Sequence, residues 1–583
     1  MAEEAEQEIQ QTSSLFATPP TVRANDIERV SLCAWIQVQS TVETKAVAEI
    51  VDGLRRWQVS SSQVGYEHLI PVLGLYANQK NLMRVRLTSV KDGFTETSQP
   101  IEFITAPLPE SFPPLQVLHI DPENMEPGMT LFSVNLWQEN VSMLDYGYLI
   151  ALDELGGVVW YCRTQDRIAD LRLLRSGRII YQHGSYRYLY EIDFFGGDHR
   201  SWYAARTSQP PNDRAIAVDV DTIHHETIEL PNGNFLTLST EIREFPHYPS
   251  DVRDPMAERQ KAWVVCDEVV EFQPDTGSII QRLPLTDLLD HERFGFLSLN
   301  TFWRDKYDDF LDSPSRDWSH ANALQFLPAD NSVLVSFRHL SCIMKIDWET
   351  KQLRWILGDP AGWTETLRPY LLQPKGNLQW FYHQHAAHFT EAGTLMMFDN
   401  GNYRAVPFQQ PTMAPDNYSR AVAYRVNESE MTVEQVYSYG APQGDRFYSP
   451  FFGEAEILPV TGNLLITDGG RVETVDGIPQ DEVPGGRQWA RIVEITGDNY
   501  PAKVFELVCA SPLGSRFGWS IYRAERIPRF DNPYWINKLD AKKSDVVFPR
   551  LPPEKKNPFL SYQPSVVGPP SPDYNTINKG GSR

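Results

Sequence analysis

Three histidines recur at one place in a repeated strand–turn–strand unit. His225 stands eight residues before Gly233 and His385 eight residues before Gly393, while His320 holds the same place ahead of a longer turn. The strand after that turn carries Arg338, and Asn322 follows His320 by two residues, on the same face of a regularly alternating strand. A guanidinium suits a tetrahedral oxyanion, because its fork holds two oxygens and stays charged at any working pH. An amide adds a neutral donor, and a neutral imidazole is a competent nucleophile near pH 7. The set describes a sulfate- or phosphate-binding site with a nucleophile beside it.

Neighbouring residues invite other readings. His224 and His225 are adjacent, so an ordinary strand turns them to opposite faces; the turn register selects His225 and leaves His224 a structural role. His383, His385 and His388 could be read as metal ligands, but no carboxylate or cysteine accompanies them in the sequence and Arg338 is a poor neighbour for a cation. No metal is expected. Trp318, Trp380, Phe381, Tyr382, Tyr448, Phe451 and Phe452 flank these segments and divide between stacking on an aryl group and packing in the core. Asp399 and Asn400, in FDNG, read as turn formers.

The elements that must position these residues are themselves repeated. One unit is an apolar strand, an Asp- or Gly-containing turn and a second strand: IALDELGGVVWY, YEIDFFGGDHRSWY, VEFQPDTGSIIQRL, MKIDWETKQLRWIL, AYRVNESEMTVEQVY and VEITGDNYPAKVFEL. Between them lie LRLLRSGRIIYQHG, HETIELPNGNFLTLSTE, HANALQFLPADNSVLVSFR, HAAHFTEAGTLMMFDNG and AEILPVTGNLLITDGG. Pairing the two kinds gives four antiparallel strands per repeat, and radial repetition of such sheets makes a β-propeller. The expected fold is all-β, a six-bladed propeller over 118–541 in which equivalent histidines converge near the axis. FGWSIYRAERIPR either completes a blade or seals the ring. Inserts near 241–262, 285–317, 358–380 and 401–420 fit a binding face, and most look too polar for core.

Ahead of the propeller, short alternating segments over 29–107 read as a small immunoglobulin-like β-sandwich, and the proline-rich stretch 108–117 as a stiff linker. Residues 1–28 and 542–583 read as disordered tails. A net charge of −23 without a basic block disfavours nucleic acid, and no apolar run approaches the ~20 residues of a membrane helix. The acidic start MAEEAEQEIQQTSS lacks the pattern of a secretory signal, and five scattered cysteines without a CxxC suit a reducing compartment, so a cytoplasmic location is expected.

DWSHANALQFLP, VLVSFRHL, the WILG of RWILGDP, HQHAAHF and TLMMFDNGN resemble the bacterial aryl-sulfate sulfotransferase family, over most of residues 30–530. The resemblance implies a nucleotide-independent, ping-pong reaction without a cofactor: an aryl sulfate donates its sulfuryl group to a histidine and a phenol removes it. By motif that histidine is His385. His225 and Arg338 would then hold sulfate oxygens, while His320 with Asn322 would orient the group and shuttle the phenolic proton. The resemblance also implies a homodimer. Family members are commonly exported and carry a disulfide near the active site, whereas no cysteine lies between Cys342 and Cys509 here. Sulfate-ester hydrolysis, a repurposed biosynthetic step on an aromatic metabolite and a non-catalytic interaction propeller are the alternative functions.

Overall fold

The computed structural model describes residues 14–535 except 54, 62, 139–145, 441–444, 482–486, 499, 514, 516, 533 and 534. The expected C-terminal tail therefore lies outside the described residues. Part of the stretch read as an N-terminal tail is structured: Thr21–Ala24 pairs with Ala34–Gln37, and Leu15 is buried in the first domain's core. Alternation too short to register in the sequence suffices there because the partner strand supplies the register.

The N-terminal domain is one continuously bonded seven-stranded sheet built around the long strand Ala34–Asp52. A register shift between Gln39 and Thr44 divides that strand. Its first half pairs with Thr21–Ala24 and Gly65–Val72, its second with Arg55–Ser60 and Lys80–Ser89. Inward residues of both halves, Ile36, Val38, Ala46, Ala48 and Ile50, meet Trp57, Ile70 and Val85 in one core, so the sheet folds over itself as a sandwich. Trp35 stacks on Phe195 at 4.1 Å, seating the domain against the second propeller blade.

Six further sheets form a ring, a six-bladed β-propeller. Each contiguous pair of repeat units is one blade, with the histidine-bearing unit as its inner hairpin. Blade 3 runs from His224–Glu229 to Ile279–Pro284, blade 4 from Ala321–Leu327 to Leu353–Gly358, and blade 5 from His385–Phe389 to Thr432–Gly440. Only five inner hairpins were countable because the sixth is split between distant parts of the chain. The inner strand of blade 1 is Phe517–Ile527, which pairs with Met129–Gln138. Leu115–Ile120 adds an outer strand to blade 6 against Lys503–Cys509, so residues 115–117 belong to the propeller and not to the linker. The ring is thus fastened twice, on both sides of one seam.

The seam is also tied by charge. Arg526, on the closing strand, pairs with Glu494 of blade 6, and Glu494 Oε1 accepts from the Glu126 N–H at 2.6 Å and from Asn463 Nδ2 at 2.7 Å. All five cysteines are buried free thiols. Among the described residues no helix is long and apolar enough to cross a membrane.

Candidate functional site

At the start of the inner strands the pairing is interrupted. Register shifts fall between His224 and Thr227, between Ala321 and Ala323, and between His385 and His388. His225 and His320 adopt φ of 55° and 48°, in the left-handed region that non-glycine residues seldom occupy. Such bulges re-aim side chains, and here they gather imidazoles that regular strands would disperse. His224 and His225 do not diverge: their rings are 5.0 Å apart and their Nδ1 atoms 2.8 Å apart.

The gathered rings form a chain. His225 lies 4.7 Å from His320, which stacks on His339 at 4.4 Å. His385 meets Tyr522 at 5.0 Å, and the Tyr522 hydroxyl is 3.3 Å from the His225 carbonyl oxygen. His385 Nδ1 donates to the Gly453 carbonyl at 2.8 Å, so the neutral ring carries its lone pair on Nε2. Gly453 has φ 104°, and a Cβ there would stand 2.7 Å from the Phe398 ring, so this carbonyl is delivered by a position closed to larger residues.

Arg338 is clamped at two points, donating from Nη1 to His339 Nε2 at 3.0 Å and from Nη2 to the Pro450 carbonyl at 2.9 Å. His339 Nδ1 in turn donates to the Asp317 carbonyl at 2.8 Å. The Asp317 carboxylate stands 2.5 Å from His320 Nδ1 through Oδ2 and accepts from Trp303 Nε1 at 3.0 Å through Oδ1. Asp317, His320 and His339 are also the one grouping among the described residues compact enough to hold a metal ion. Asp317 is hydrogen-bonded to His320 Nδ1 and Trp303, and His339 to the Asp317 carbonyl and Arg338. His383, His385 and His388 send their Nδ1 atoms to three different carbonyls, of Asn402, Gly453 and Ala386, so the structure does not assemble them as a ligand set.

Burial sets the protonation. It pulls His385 down to about 3, helped by Arg338 and opposed by the Gly453 hydrogen bond. It holds His225, His320 and His383 well below the ordinary imidazole value too, with the neighbouring His320 next in effect at His225 and the Arg338 charge next at His320 and His383. Further along the inner strands, the half-buried Arg172 and the buried Arg523 pair with Asp170, Glu226, Glu454 and Glu525. Desolvation pushes Asp170 and Glu226 up to about 7.

Of the residues expected from sequence, His225, His320, Arg338 and His385 come together. Asn322 is fully buried: the bulge breaks the two-residue alternation, and its amide donates to the Gln384 carbonyl at 2.8 Å, bracing the segment that carries His385. Phe452, 6.5 Å from His385, lies at the site. Trp318 and Phe381 are core residues, Tyr382 bonds Asp359, and Tyr448 bonds Asp481. Asp399 is buried and paired with Arg420 and Arg404, and Asn400 holds the carbonyls of Ser449 and Phe452, so both anchor loops beyond a turn. The insert 285–317 is no polar appendage: it buries Leu285, Phe294 and Trp303 and brings Phe302 within 4.9 Å of His320. Asp317, His339, Tyr186, which stacks on His225 at 5.2 Å, and Tyr522 were missed. Only Asp317 left a signal, standing three residues before His320 in DWSH.

A cleft of about 810 Å³ between the sandwich and blade 2, lined by Trp35, Phe195 and Trp535, lies away from these histidines. The fold and the site define a propeller protein in which a buried neutral histidine lies in the field of a clamped arginine and of a further imidazole. The chain belongs to the arylsulfotransferase (ASST) family, whose model matches residues 115–507, more than half of the sequence. It is 29% identical over 285 residues to an arylsulfate sulfotransferase of Escherichia coli, covering 43% of this chain and 46% of that protein. It is 36% identical over 152 residues to one from Lelliottia amnigena, covering 23% and 25%. The matches thus span less than half the length of either relative. Among solved structures, a protein of unknown function from Bacteroides caccae covers 64% of this chain and 90% of its own at 12% identity and a TM-score of 0.33.

Proposed function

We propose that the chain transfers a sulfuryl group from an aryl sulfate to a phenol through a covalent adduct on His385. The observation that carries this reading is His385 itself: its Nδ1 is committed to the Gly453 carbonyl, and its Nε2 belongs to a ring held neutral by burial, within reach of the Arg338 and His320 fields. Its Nε2 attacks sulfur, an N–S bond forms, and the S–O bond to the aryl oxygen breaks with its electron pair leaving on that oxygen. The adduct ring becomes cationic, and the Nδ1–H to Gly453 strengthens as it does.

Arg338 has N–H groups beyond the two spent on His339 and Pro450, and these face sulfate oxygens in this scheme. When His224 donates Nδ1–H to His225 Nδ1, His225 is left with Nε2–H as a further sulfate donor. The aryl oxygen departs as a phenolate, and His320, neutral at rest, takes the proton of the incoming phenol. A phenol, with a pKa of about 10, leaves readily, so fixed donors and positioning supply most of the acceleration. Phe302 and Phe452 offer apolar surface to the aryl ring.

The test is to incubate the protein with 4-nitrophenyl sulfate without acceptor, quench, and map adducts by peptide mass spectrometry. A sulfuryl adduct on the His385 peptide that vanishes on adding phenol, and is absent from His385→Ala, is expected. Full transfer by His385→Ala would sink the proposal.

A further inference from the structure

We infer that Asp317 is a positioning residue that makes His320 the base for the phenolic acceptor, an assignment that rests on the sulfotransferase reading above. Two acids bracket His320 and do different things. Asp267 holds its backbone on both sides, through the Ser319 hydroxyl at 2.5 Å and the Ala321 N–H at 2.7 Å, and so maintains the left-handed turn at φ 48°. Asp317 holds the ring, with Oδ2 at 2.5 Å from Nδ1. That contact fixes the Nδ1–H tautomer and leaves Nε2 as the acceptor, the same division of labour that an aspartate performs behind the histidine of a hydrolytic triad.

Asp317 has the attributes of such a partner. Its carboxyl is fully enclosed, and Trp303 Nε1 occupies the other oxygen at 3.0 Å, so it cannot rotate away from the ring. Its carbonyl receives His339 Nδ1–H, which commits His339 Nε2 to Arg338. One residue thereby sets the proton positions on both imidazoles flanking the arginine.

The step balances. As the phenol oxygen bonds to sulfur, the N–S bond to His385 breaks with its electron pair returning to Nε2, and the phenolic proton moves to His320 Nε2. The resulting imidazolium is compensated by the Asp317 carboxylate. The imidazolium then returns its proton to solvent, which restores the bare Nε2 before the next phenol binds.

The experiment compares half-reactions in Asp317→Asn. Nitrophenolate leaves without needing a proton, whereas an unactivated phenol must lose one to attack. Sulfuryl uptake from 4-nitrophenyl sulfate should fall less than ~10-fold, while transfer from the preformed adduct to unsubstituted phenol should fall at least ~100-fold, the range of general acid–base catalysis. Equal losses in both half-reactions, or no loss in either, would overturn the assignment. Failure of the wild-type protein to form an adduct would instead remove the underlying reading. Should the variant not fold, ¹⁵N shifts of labelled His320 in the wild type decide the matter: protonated Nδ1 with bare Nε2 supports the assignment, and the reverse tautomer defeats it.

Discussion

Burial makes the site histidines bases that stay neutral in mild acid. Because His385 is pulled down to about 3 from an ordinary value of about 6.5, nucleophilic uptake from 4-nitrophenyl sulfate should keep a constant rate from pH 8 to about pH 5. A stopped-flow pH profile bending near 6.5 would mean an ordinary solvated imidazole. The same depression costs stability in acid. Below about pH 6.5 the unfolded chain binds protons that the buried rings refuse, so stability is complete above that value and is lost progressively toward pH 3. At this scale the sequence exposed the histidines and the arginine, since their spacing from a glycine turn is regular. It concealed how they are aimed, because left-handed backbone at His225 and His320 has no signature in residue type. The face that Asn322 presents was concealed for the same reason: alternation fails at the bulge between Ala321 and Ala323.

The blades were legible wherever both strands of a hairpin are contiguous, which is why the outer hairpins appeared in full. The inner hairpin of blade 1 combines Met129–Gln138 with Phe517–Ile527, and no local pattern links segments so far apart. Tyr522 rides on that closing strand and was invisible as a site residue for the same reason. Closure depends on the buried Arg526–Glu494 pair. Glu494→Ala leaves the arginine enclosed without its counter-charge and the Asn463 amide and Glu126 N–H without their acceptor. Breaking one partner of a buried pair costs about 3–5 kcal/mol, so thermal unfolding should shift down by several degrees. An unchanged melting curve would show that the double strand closure suffices alone.

Across the whole molecule, the charge of −23 opposes the approach of an anionic donor. Raising salt from about 10 to 150 mM shortens the Debye length to about 8 Å. The KM for an aryl sulfate should therefore fall with salt while the KM for a neutral phenol stays constant; parallel changes in both would point to a conformational effect of salt. Overall architecture was the most legible level, because repetition multiplies a weak signal six times, whereas the fold-over of the long strand Ala34–Asp52 and the seating of the first domain on blade 2 depend on contacts without local pattern. The seam has a consequence during biosynthesis. Blades 2 to 5 can assemble from contiguous chain as it leaves the ribosome and blade 6 needs only the earlier Leu115–Ile120, but the first blade waits for Phe517–Ile527. Until the ribosome has passed residue 527, the nascent chain carries an open ring whose Met129–Gln138 edge is unpaired, so chaperone capture and stalling mutants should register most strongly on that late interval.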